Sequence, residues 1–348
     1  MTRFFTSECV GVGHPDVLVD SITDAVLDYL LDRDPDAHAG IEGFVTTDYL
    51  CLGGEIRTIA KVNESEIIQI VRKTINKVGY IPCEGSGFDS NCKIDYRIHT
   101  QSPDIAQGVD GSGSYGNGKV AAGDQGIMIG YACNDNEMFM PNTAYLARCL
   151  INVLREHFVL NKSPEFKPDS KTQVTIKEED GVQTIDTVIV SQSHGQDVDI
   201  EVLREHITSL CKEELSSLGW DTTNTKFFIN PTGKFSIYGP HGDSGVSGRK
   251  LIVDAYGPLV PIGGGNTHGK DPSKVDKSAA YAARWVCKNV VAAGLADKCQ
   301  LEIAYAIGMP DPISIRIDTF GTEKYSIQNI EGAISKVLNR ILLSISIS

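Results

Sequence analysis

The sequence predicts a layered α+β protein made of two or three subdomains. Segments with helical periodicity alternate with short apolar strands, and this alternation lacks the regular period of a barrel or a solenoid. The chain has 348 residues, of which 41% are hydrophobic, so it can fill more than one core. These observations favour a set of α+β subdomains.

The order of the elements in the first third supports this class. Apolar residues spaced three and four apart predict helices, and alternating or continuous apolar runs predict strands. The sequence predicts a loop at residues 6–16, a helix opened by Pro15, two strands within residues 41–62 that join near Asp48, and a helix at residues 65–78 that Ser65 caps and Gly79 ends.

The later elements continue the alternation. An Asp180-Gly181 turn between two alternating strands is a strong hairpin signal. The sequence predicts a strand at residues 127–133, a helix at 142–157, the hairpin at 171–194, a helix at 202–218, a strand at 226–230, a helix capped by Asp271 that runs from Pro272 up to Gly294, strands at 301–307 and 313–320, and a last helix near 327–343.

The composition argues against several classes of protein. A formal net charge of -13 and a pI near 5.1 argue against a nucleic-acid binder or a binder of anionic membranes. Nine scattered cysteines without a CxxC pair indicate neither a disulfide framework nor a zinc site, which favours a reduced cytoplasmic setting. No apolar run reaches membrane-spanning length or has the pattern of a signal peptide, so we expect neither insertion nor export.

A basic, glycine-rich segment at residues 238–277 contrasts with this acidic background. Residues 226–277 contain seven Lys and Arg against four Asp. Glycine loops leave backbone N–H groups unshielded, and such groups can surround phosphate oxygens. The start of the next helix adds positive charge that a bound anion would compensate, from Lys270, Lys274 and Lys277. The segment predicts a polyanion site, and the alternative is three solvated lysines on a surface turn.

The first predicted helix carries aspartates at four-residue spacing. Asp16, Asp20, Asp24 and Asp28 repel one another at this spacing, and we interpret the row as a solvated acidic face. Asp16 differs because it lies beside His14 at the helix start, after a glycine loop. In that position it could ligate a hard cation such as Mg²⁺.

Residues 101–126 are too long and too rich in glycine and serine for a simple connection. We expect a lid that closes over the site, with a disordered surface insertion as the alternative. The segment ends next to a buried strand, so Asp124 is expected at a strand edge that faces the loop.

Two nucleotide-binding motifs fit poorly. Gly264, Gly269 and Lys270 have the spacing of a phosphate-binding P-loop, but Asp271 stands where that motif needs Ser or Thr. A dinucleotide-binding fold is weaker still, because no GxGxxG motif joins an early strand to a helix. A P-loop NTPase therefore ranks well behind other polyanion sites.

Six segments together resemble one enzyme family, the S-adenosylmethionine synthetases, in their bacterial form. They occur in the family's order and spacing over about residues 4–324. The segments are FTSECVGVGHPD, GDQGIMIGYA, KPDSKTQVT, FFINPTGKF, GDSGVSGRKLIVDAYG and GGGNTHGKDPSKVDKSAAYAARWV.

The resemblance implies an α+β fold of three similar α/β subdomains in a pseudo-threefold arrangement. We place the N-terminal subdomain at residues 1–105, the central one at 118–235, the C-terminal one at 236–348 and a mobile active-site loop at 102–123. Homodimers with sites at the subunit interface, often paired again as dimers of dimers, are the implied assembly.

The implied reaction joins L-methionine to ATP. Sulphur attacks C5′ of the ribose, the whole triphosphate leaves, and the tripolyphosphate is then hydrolysed to phosphate and pyrophosphate. A thioether has no proton to lose, so orientation and stabilisation of the leaving polyanion matter more than a general base. The implied cofactors are Mg²⁺, with two ions expected, and K⁺.

The resemblance also assigns roles to individual residues. The family's phosphate-holding cations correspond to Lys171, Arg249, Lys250, Lys270 and Lys274. The family's residue near the oxygen that leaves C5′ corresponds to His14. Mg²⁺ ligands match Asp16 and Asp276, and the K⁺ site matches Glu42. The family's residues around methionine correspond to Glu55, Gln101, Asp124, Asp243, Lys274 and Ile307. Its residues around adenosine correspond to Phe235, Asp243 and Ile307.

Three departures from the family pattern leave alternatives open. Val17 replaces the usual lysine after GHPD, and Asn266, Thr267 and His268 replace Ala, Phe and Ser in the glycine turn. After Lys324 the closing motifs are absent, so we expect a substituted or truncated terminus with weaker packing. A catalytically impaired paralogue with a regulatory or nucleotide-binding role, a tripolyphosphatase and a P-loop NTPase remain as alternatives.

Overall fold

The computed structural model describes residues 1–82, 87–103, 106 and 121–335. Within them the strands are β1 Thr2–Val10, β2 His38–Thr46, β3 Tyr49–Arg57, β4 Lys93–Thr100, β5 Gly126–Cys133, β6 Phe166–Glu179, β7 Val182–His194, β8 Lys226–Ile229, β9 Gly245–Val246, β10 Lys298–Tyr305 and β11 Ser314–Asp318. The helices with printed bounds are α1 Pro15–Leu31, α2 Glu64–Val78, α3 Asn142–Val159, α4 Ile200–Ser217, α5 Leu251–Asp254 and α6 Val275–Ala292.

The described strands form three sheets, and helices cover each of them. The sheet orders are β4-β3-β2-β9, β1-β6-β7-β8 and β11-β10-β5. Helices α1 and α2 cover the first sheet, α3 and α4 the second, and α6 the third. This arrangement confirms the predicted α+β class. Each sheet also contains a strand that is distant in sequence from the others, namely β9, β1 and β5.

A separate apolar core underlies each sheet. The helical periodicity of α1 buries Leu18 and Ile22 completely against the first sheet. Leu146 and Leu150 of α3 lie in the second core, and Ala283 of α6 lies in the third. No helix in the described ranges is long and apolar enough to cross a membrane.

Turn chemistry predicted several boundaries correctly. Asp180 and Gly181 have φ values of 51° and 82°, which is the backbone of a tight hairpin turn between β6 and β7. Gly79 ends α2 with a left-handed φ of 116°. Residues 327–335 are helical as expected, and the rest of that predicted helix lies outside the described residues. So does most of the predicted loop at 102–123.

The loop predicted at residues 6–16 is wrong in its first half, because β1 extends to Val10 and pairs antiparallel with β6. The polar run of Thr6, Ser7 and Glu8 hid the strand. The hydroxyl groups of Thr6 and Ser7 have hydrogen-bond partners in the folded chain. The Thr6 hydroxyl lies 2.9 Å from the Thr175 hydroxyl in the sheet, and the Ser7 hydroxyl lies 2.8 Å from the buried Thr143 hydroxyl beneath it.

Two predicted helix caps are also wrong. Asn63, not Ser65, caps α2, because its side chain accepts the N–H of Ser65 at 2.9 Å. Helix α6 begins at Val275, not at Pro272. The Asp271 carboxylate does not cap it, because that carboxylate accepts the N–H of Ala39 in β2 at 2.8 Å.

Candidate active site

The acidic row on α1 binds the glycine-rich loops. Backbone N–H groups of Val246, Gly248 and Gly269 donate to the carboxylates of Asp16, Asp20 and Asp24 at 2.9, 2.9 and 2.8 Å, respectively. Asp16 and Asp20 are 0% and 1% exposed. The interpretation of this row as a solvated face is therefore wrong for Asp20. Asp16, which the sequence had set apart from the row, is also buried, and the loops that precede Lys250 and Lys270 are fixed to α1.

The first group of predicted site residues surrounds the buried carboxylate of Asp16, and we call it the Asp16 cluster. Lys250 Nζ lies 2.6 Å from Asp16 Oδ2, and Arg249 Nε lies 3.1 Å from Oδ1. Burial alone would raise the pKa of Asp16, but the hydrogen bonds from Lys250 and Val246 lower it overall. Two cationic side chains thus face one carboxylate, and half-exposed Arg249 retains donors for an anion.

His14 completes the Asp16 cluster as the N-cap of α1. Its Nδ1 accepts the N–H of Asp16 at 3.2 Å, so the proton of the neutral ring lies on Nε2. Burial and the neighbouring Lys250 charge lower the pKa of His14 to about 4. The ring is therefore neutral at pH 7 and offers Nε2–H as a donor. Tyr80 supports the preceding turn by donating to the carbonyl of Gly13 at 2.5 Å.

Lys171 reaches this region from the second sheet. It pairs with Val10 across the β1–β6 ladder, just before the turn that carries His14. Its ammonium group lies 2.8 Å from Glu8 Oε2 and does not contact Asp16. With 44% of its side chain exposed, Lys171 remains accessible to a ligand.

The second group, which we call the Lys270 cluster, lies where the glycine turn meets α6. Lys270 Nζ lies 2.7 Å from Asp276 Oδ2, and the N–H of Gly265 donates to Asp276 Oδ1 at 2.8 Å. Lys274 is buried and lies 2.8 Å from Asp271 Oδ2. Burial would raise the pKa of Asp271, but hydrogen bonds from His38 and the Lys274 charge lower it.

Glu42 connects the two clusters. It accepts a hydrogen bond from the Ser247 hydroxyl, which lies two residues before Arg249. It also accepts one from Asn266 Nδ2 in the glycine turn at 3.3 Å. The Asn266 side chain, one of the departures from the family pattern, thus contributes to the environment of the predicted K⁺ residue.

Two residues assigned to methionine, Glu55 and Gln101, lie on the side of the Lys270 cluster. Gly40 forms an isolated antiparallel β-bridge with Lys270. The Glu55 side chain lies close to Gly40, because a Cβ atom added at Gly40 would be 2.7 Å from Glu55 Oε1. Gln101 donates its N–H to the Ile56 carbonyl at 3.1 Å, next to Glu55. The Gln101 amide is buried and has no hydrogen-bond partner among the residues described here. A polar ligand would satisfy it.

Asp124 and Ile307 lie on the same side. Asp124 is exposed, and the N–H of the preceding Gly123 donates to the Ser273 carbonyl at 3.3 Å. Ile307 is 49% exposed, and the following Gly308 donates to the Ala122 carbonyl at 2.9 Å. The structure therefore brings this part of the assignment together.

Sequence reasoning missed two residues that hold the backbone near predicted site residues. Fully buried His194 holds the predicted adenosine residue Phe235 through both backbone groups, at 3.1 and 2.9 Å. Asp169 accepts the N–H of Gly239 at 2.9 Å, in the loop that leads to the exposed Asp243. His194 ends the predicted hairpin, and Asp169 lies two residues before Lys171, so their positions were the available signals.

The P-loop alternative does not fit this geometry. In a P-loop the lysine directly opens a helix, whereas α6 begins five residues after Lys270. The N–H of Gly269 is also occupied by Asp24. Lys270 therefore does not belong to a P-loop.

Comparison with protein families identifies the family of this chain. Three domain models of S-adenosylmethionine synthetase match nearly the whole chain, the N-terminal domain at residues 2–103, the central domain at 119–235 and the C-terminal domain at 237–346. The chain belongs to the S-adenosylmethionine synthetase family. The resemblance predicted from the sequence is confirmed, and the match extends beyond Lys324, where the sequence motifs end.

Bacterial relatives agree with the family assignment. The chain is 47% identical to a Fusobacterium nucleatum protein named S-adenosylmethionine synthase, over 97% of this chain and 85% of that protein. A synthase of the same name from Treponema denticola is 46% identical over 97% and 87% of the two chains. One from Parvibaculum lavamentivorans is 44% identical over 96% and 85%.

The carboxylates implied as Mg²⁺ ligands in this synthetase fold fit such an ion. In the part of the chain described, three N–H groups contact Asp16, and two contact Asp276. An ionised carboxylate has about four lone-pair sites, so both retain capacity. Mg²⁺ typically binds through one or two carboxylates together with substrate phosphates. Asp16 and Asp276 are single carboxylates beside cationic side chains, which suits this mode of Mg²⁺ binding.

The synthetase fold also explains one departure from the family pattern. Val17 is half-buried and packs against the apolar core of the second sheet. Its side chain therefore replaces the usual lysine with an apolar contact, and the neighbouring Asp16 keeps its contacts with Arg249 and Lys250.

A pH-dependent effect on stability is expected from Asp169. Burial, with a contribution from Asp243, raises its pKa from 3.8 to about 7. Between these values the folded state binds more protons than the unfolded state, so Asp169 loses stabilising effect as pH rises from 4 to 7. Asp169→Asn keeps an acceptor for Gly239 and removes this titration.

Urea unfolding measured from pH 4 to pH 8 tests this expectation. Relative to wild type, Asp169→Asn should gain on the order of 4 kcal/mol across that range. Asp197→Asn, which makes the same chemical change at an exposed carboxylate, serves as the control. A constant difference for Asp169→Asn would contradict the raised pKa.

Proposed function

We propose that this chain is a methionine adenosyltransferase that forms S-adenosylmethionine from ATP and L-methionine. Sulphur attacks C5′ of ATP, and the enzyme then hydrolyses the tripolyphosphate to phosphate and pyrophosphate. The observation that carries the proposal is the Asp16 cluster. Its buried carboxylate orients Arg249 and Lys250 beside a neutral His14, in a member of the S-adenosylmethionine synthetase family.

The chemistry needs cations more than bases. The thioether of methionine is a nucleophile without deprotonation, so catalysis depends on alignment and on stabilisation of the charge that leaves C5′. His14 Nε2–H would donate to the oxygen that leaves C5′. Arg249 would hold phosphate oxygens through its planar fork, and Lys250 would act as a point charge.

The second cluster would hold the far end of the triphosphate and the amino acid. Lys270 and Lys274 supply cations, and Lys171 adds one from the second sheet. Glu55, Gln101 and Asp124 would contact methionine, where an acidic group can bind the α-ammonium. Phe235, Asp243 and Ile307 would surround the adenosine.

Two Mg²⁺ ions and one K⁺ ion belong to the proposal. Asp16 and Asp276 would hold Mg²⁺, and Glu42 would hold K⁺. When bound, Mg²⁺ neutralises phosphate charge and so favours departure of the triphosphate. The unused lone pairs of both aspartates support these assignments.

We infer a homodimer, or a dimer of dimers, with sites at the subunit interface. Exposed large apolar side chains on β5 and α6 support this, since Ile127, Tyr281 and Trp285 are 52%, 63% and 48% exposed. A cytoplasmic location is part of the proposal and agrees with the free cysteines of the described chain.

The test is an assay of products. Purified full-length chain with ATP, L-methionine, Mg²⁺ and K⁺ should form a sulfonium product with the mass of S-adenosylmethionine, together with phosphate and pyrophosphate. Nucleotide binding by a folded sample without a sulfonium would favour the impaired-paralogue alternative, which no observation favours at present. Hydrolysis of added tripolyphosphate alone would indicate a tripolyphosphatase, and release of ADP without use of methionine would indicate an NTPase.

A further inference from the structure

Three carboxylates converge on His268 outside the residues assigned to the active site. His268 Nδ1 lies 2.7 Å from Asp24 Oδ2, and its Nε2 lies 3.4 Å from Asp254 Oδ2 and 4.0 Å from Asp20 Oδ2. We call these four residues the His268 cluster. It joins α1, the end of α5 and the glycine turn.

One oxygen of this cluster is buried without a partner. Asp20 is 1% exposed, and its Oδ1 accepts the N–H of Gly248 at 2.9 Å. Its Oδ2 has no hydrogen-bond donor within the described ranges, although it points towards His268. A buried acceptor left unsatisfied costs about 1 to 3 kcal/mol, so it calls for a partner that the chain itself does not supply.

We propose that Asp20 Oδ2, Asp254 Oδ2 and His268 Nε2 bind one divalent transition-metal ion of the Zn²⁺ type. The three residues offer ligand atoms that all lie within 4.8 Å of one another. Around a tetrahedral ion with bonds of 2.0 to 2.2 Å, ligand atoms lie about 3.4 Å apart. Asp254 already has this separation from His268, and Asp20 reaches it after a shift of about half an ångström.

Asp24 determines which histidine nitrogen is the ligand. It accepts the Nδ1 proton of His268 at 2.7 Å, which leaves Nε2 directed towards Asp20 and Asp254. A carboxylate that holds the other ring nitrogen of a metal-binding histidine is a recurrent feature of such sites. A single imidazole with carboxylates favours Zn²⁺ or its neighbours over Mg²⁺, which prefers oxygen ligands alone.

The charges of the cluster leave room for a cation. Besides His268, Lys277 lies 3.8 Å from Asp24, and Arg148 and Arg284 line the same cavity as Asp254. Hydrogen bonds from Asp24 and Asp254 outweigh burial and raise the pKa of His268 to about 10, so a proton occupies the ring when no ion is bound. A divalent ion would take the place of that proton and also satisfy Asp20.

An ion can reach this position from solvent. Asp254 is exposed, and both Asp254 and His268 line an open cavity of about 630 Å³ that also contacts Arg148 and Tyr281. A fourth coordination position therefore faces the cavity, where water can occupy it. The bound ion would fasten the glycine turn to α1 and α5.

Co²⁺ titration of the full-length chain tests the proposal. The protein is first stripped with chelator and then kept in millimolar Mg²⁺, so that sites with oxygen ligands only are filled. Wild type should bind one equivalent of Co²⁺ with the visible absorption of a four- or five-coordinate ion, without a thiolate band, and Zn²⁺ should displace it. One equivalent of Zn²⁺ should also raise the Tm.

Three variants locate the ion. His268→Ser introduces the residue usual at this position in the family pattern, and Asp254→Asn changes an exposed side chain, so both should fold. Each should weaken Co²⁺ binding at least 10-fold, consistent with loss of one ligand. His206→Ser is the matched control, because His206 faces a single carboxylate, Glu165, at 3.4 Å. It should bind Co²⁺ like wild type.

The same experiment can overturn the proposal. Absence of saturable Co²⁺ binding in folded wild type would do so, and so would wild-type affinity in both His268→Ser and Asp254→Asn. An intense thiolate band would place the ion on cysteine and would also reject the site.

Discussion

Lys270→Ala is expected to lower kcat about 30- to 1000-fold, which corresponds to about 2 to 4 kcal/mol of lost transition-state stabilisation. Lys270 is the cation that links the glycine turn to Asp276 through a contact of 2.7 Å. Under the proposed function, its removal would take away a charge-assisted contact to the leaving triphosphate. It also leaves the implied Mg²⁺ ligand Asp276 without its ionic partner. Initial rates of sulfonium formation at saturating ATP and methionine measure the effect.

Lys277→Ala is the matched control for Lys270→Ala. Both lysines add charge to the basic segment that predicts a polyanion site, but the family resemblance assigns no substrate contact to Lys277, and its ammonium group lies 3.8 Å from Asp24. Its removal should change kcat by less than a few fold. Equal rates in wild type and Lys270→Ala, with both proteins folded by circular dichroism, would contradict the assignment of Lys270 to the leaving group.

Asp271→Ala is expected to lower the free energy of unfolding by about 3 to 5 kcal/mol, the usual effect of removing one partner from a buried ion pair. Asp271 is 1% exposed and Lys274 is 8% exposed, so the ammonium group would remain buried without a counter-charge. The N–H of Ala39 in β2 would also lose its acceptor. Urea unfolding at pH 7 measures the change.

An exposed ion pair provides the control for Asp271→Ala. Glu302 lies 3.2 Å from Arg316, and their side chains are 31% and 58% exposed. Glu302→Ala should lower the unfolding free energy by less than about 1 kcal/mol because water screens such pairs. Similar losses in the two variants would show that burial of the Asp271 pair has no special effect.

Local chemistry made much of the fold predictable. Hairpin and helix-end residues act through their own backbone conformation, so Asp180, Gly181 and Gly79 could be placed from sequence alone. The prediction of an anion site in the basic, glycine-rich segment also rests on local properties. Composition and backbone freedom are properties of the segment itself.

Several errors came from partners that are distant in sequence, although the cap of α2 was misplaced by only two residues. The carboxylate of Asp271 is a good helix cap in isolation, but Ala39 and Lys274 bind it instead. The aspartates of α1 form a solvated row by spacing alone, yet backbone N–H groups of residues 246–269 bind three of them, and Asp16 and Asp20 are buried. Only the packed structure brings these segments together.

The candidate site likewise contains residues that could be proposed from the sequence and residues that could not. His14, Arg249 and Lys250 could be assigned because they lie in continuous motifs. His194 and Asp169 were missed because their roles depend on contacts with Phe235 and Gly239, about 40 and 70 residues further along the chain. Supporting residues of this kind carry no motif of their own.

The pairing of β1 with β6 has a consequence during protein synthesis. Thr2 of β1 contacts Glu179 of β6, a separation of 177 residues along the chain. At 5 to 20 residues per second, the ribosome needs roughly 10 to 35 s to supply that partner. The first strand therefore leaves the ribosome unpaired and stays unpaired until β6 has been synthesised. During that time the nascent chain is a substrate for chaperones.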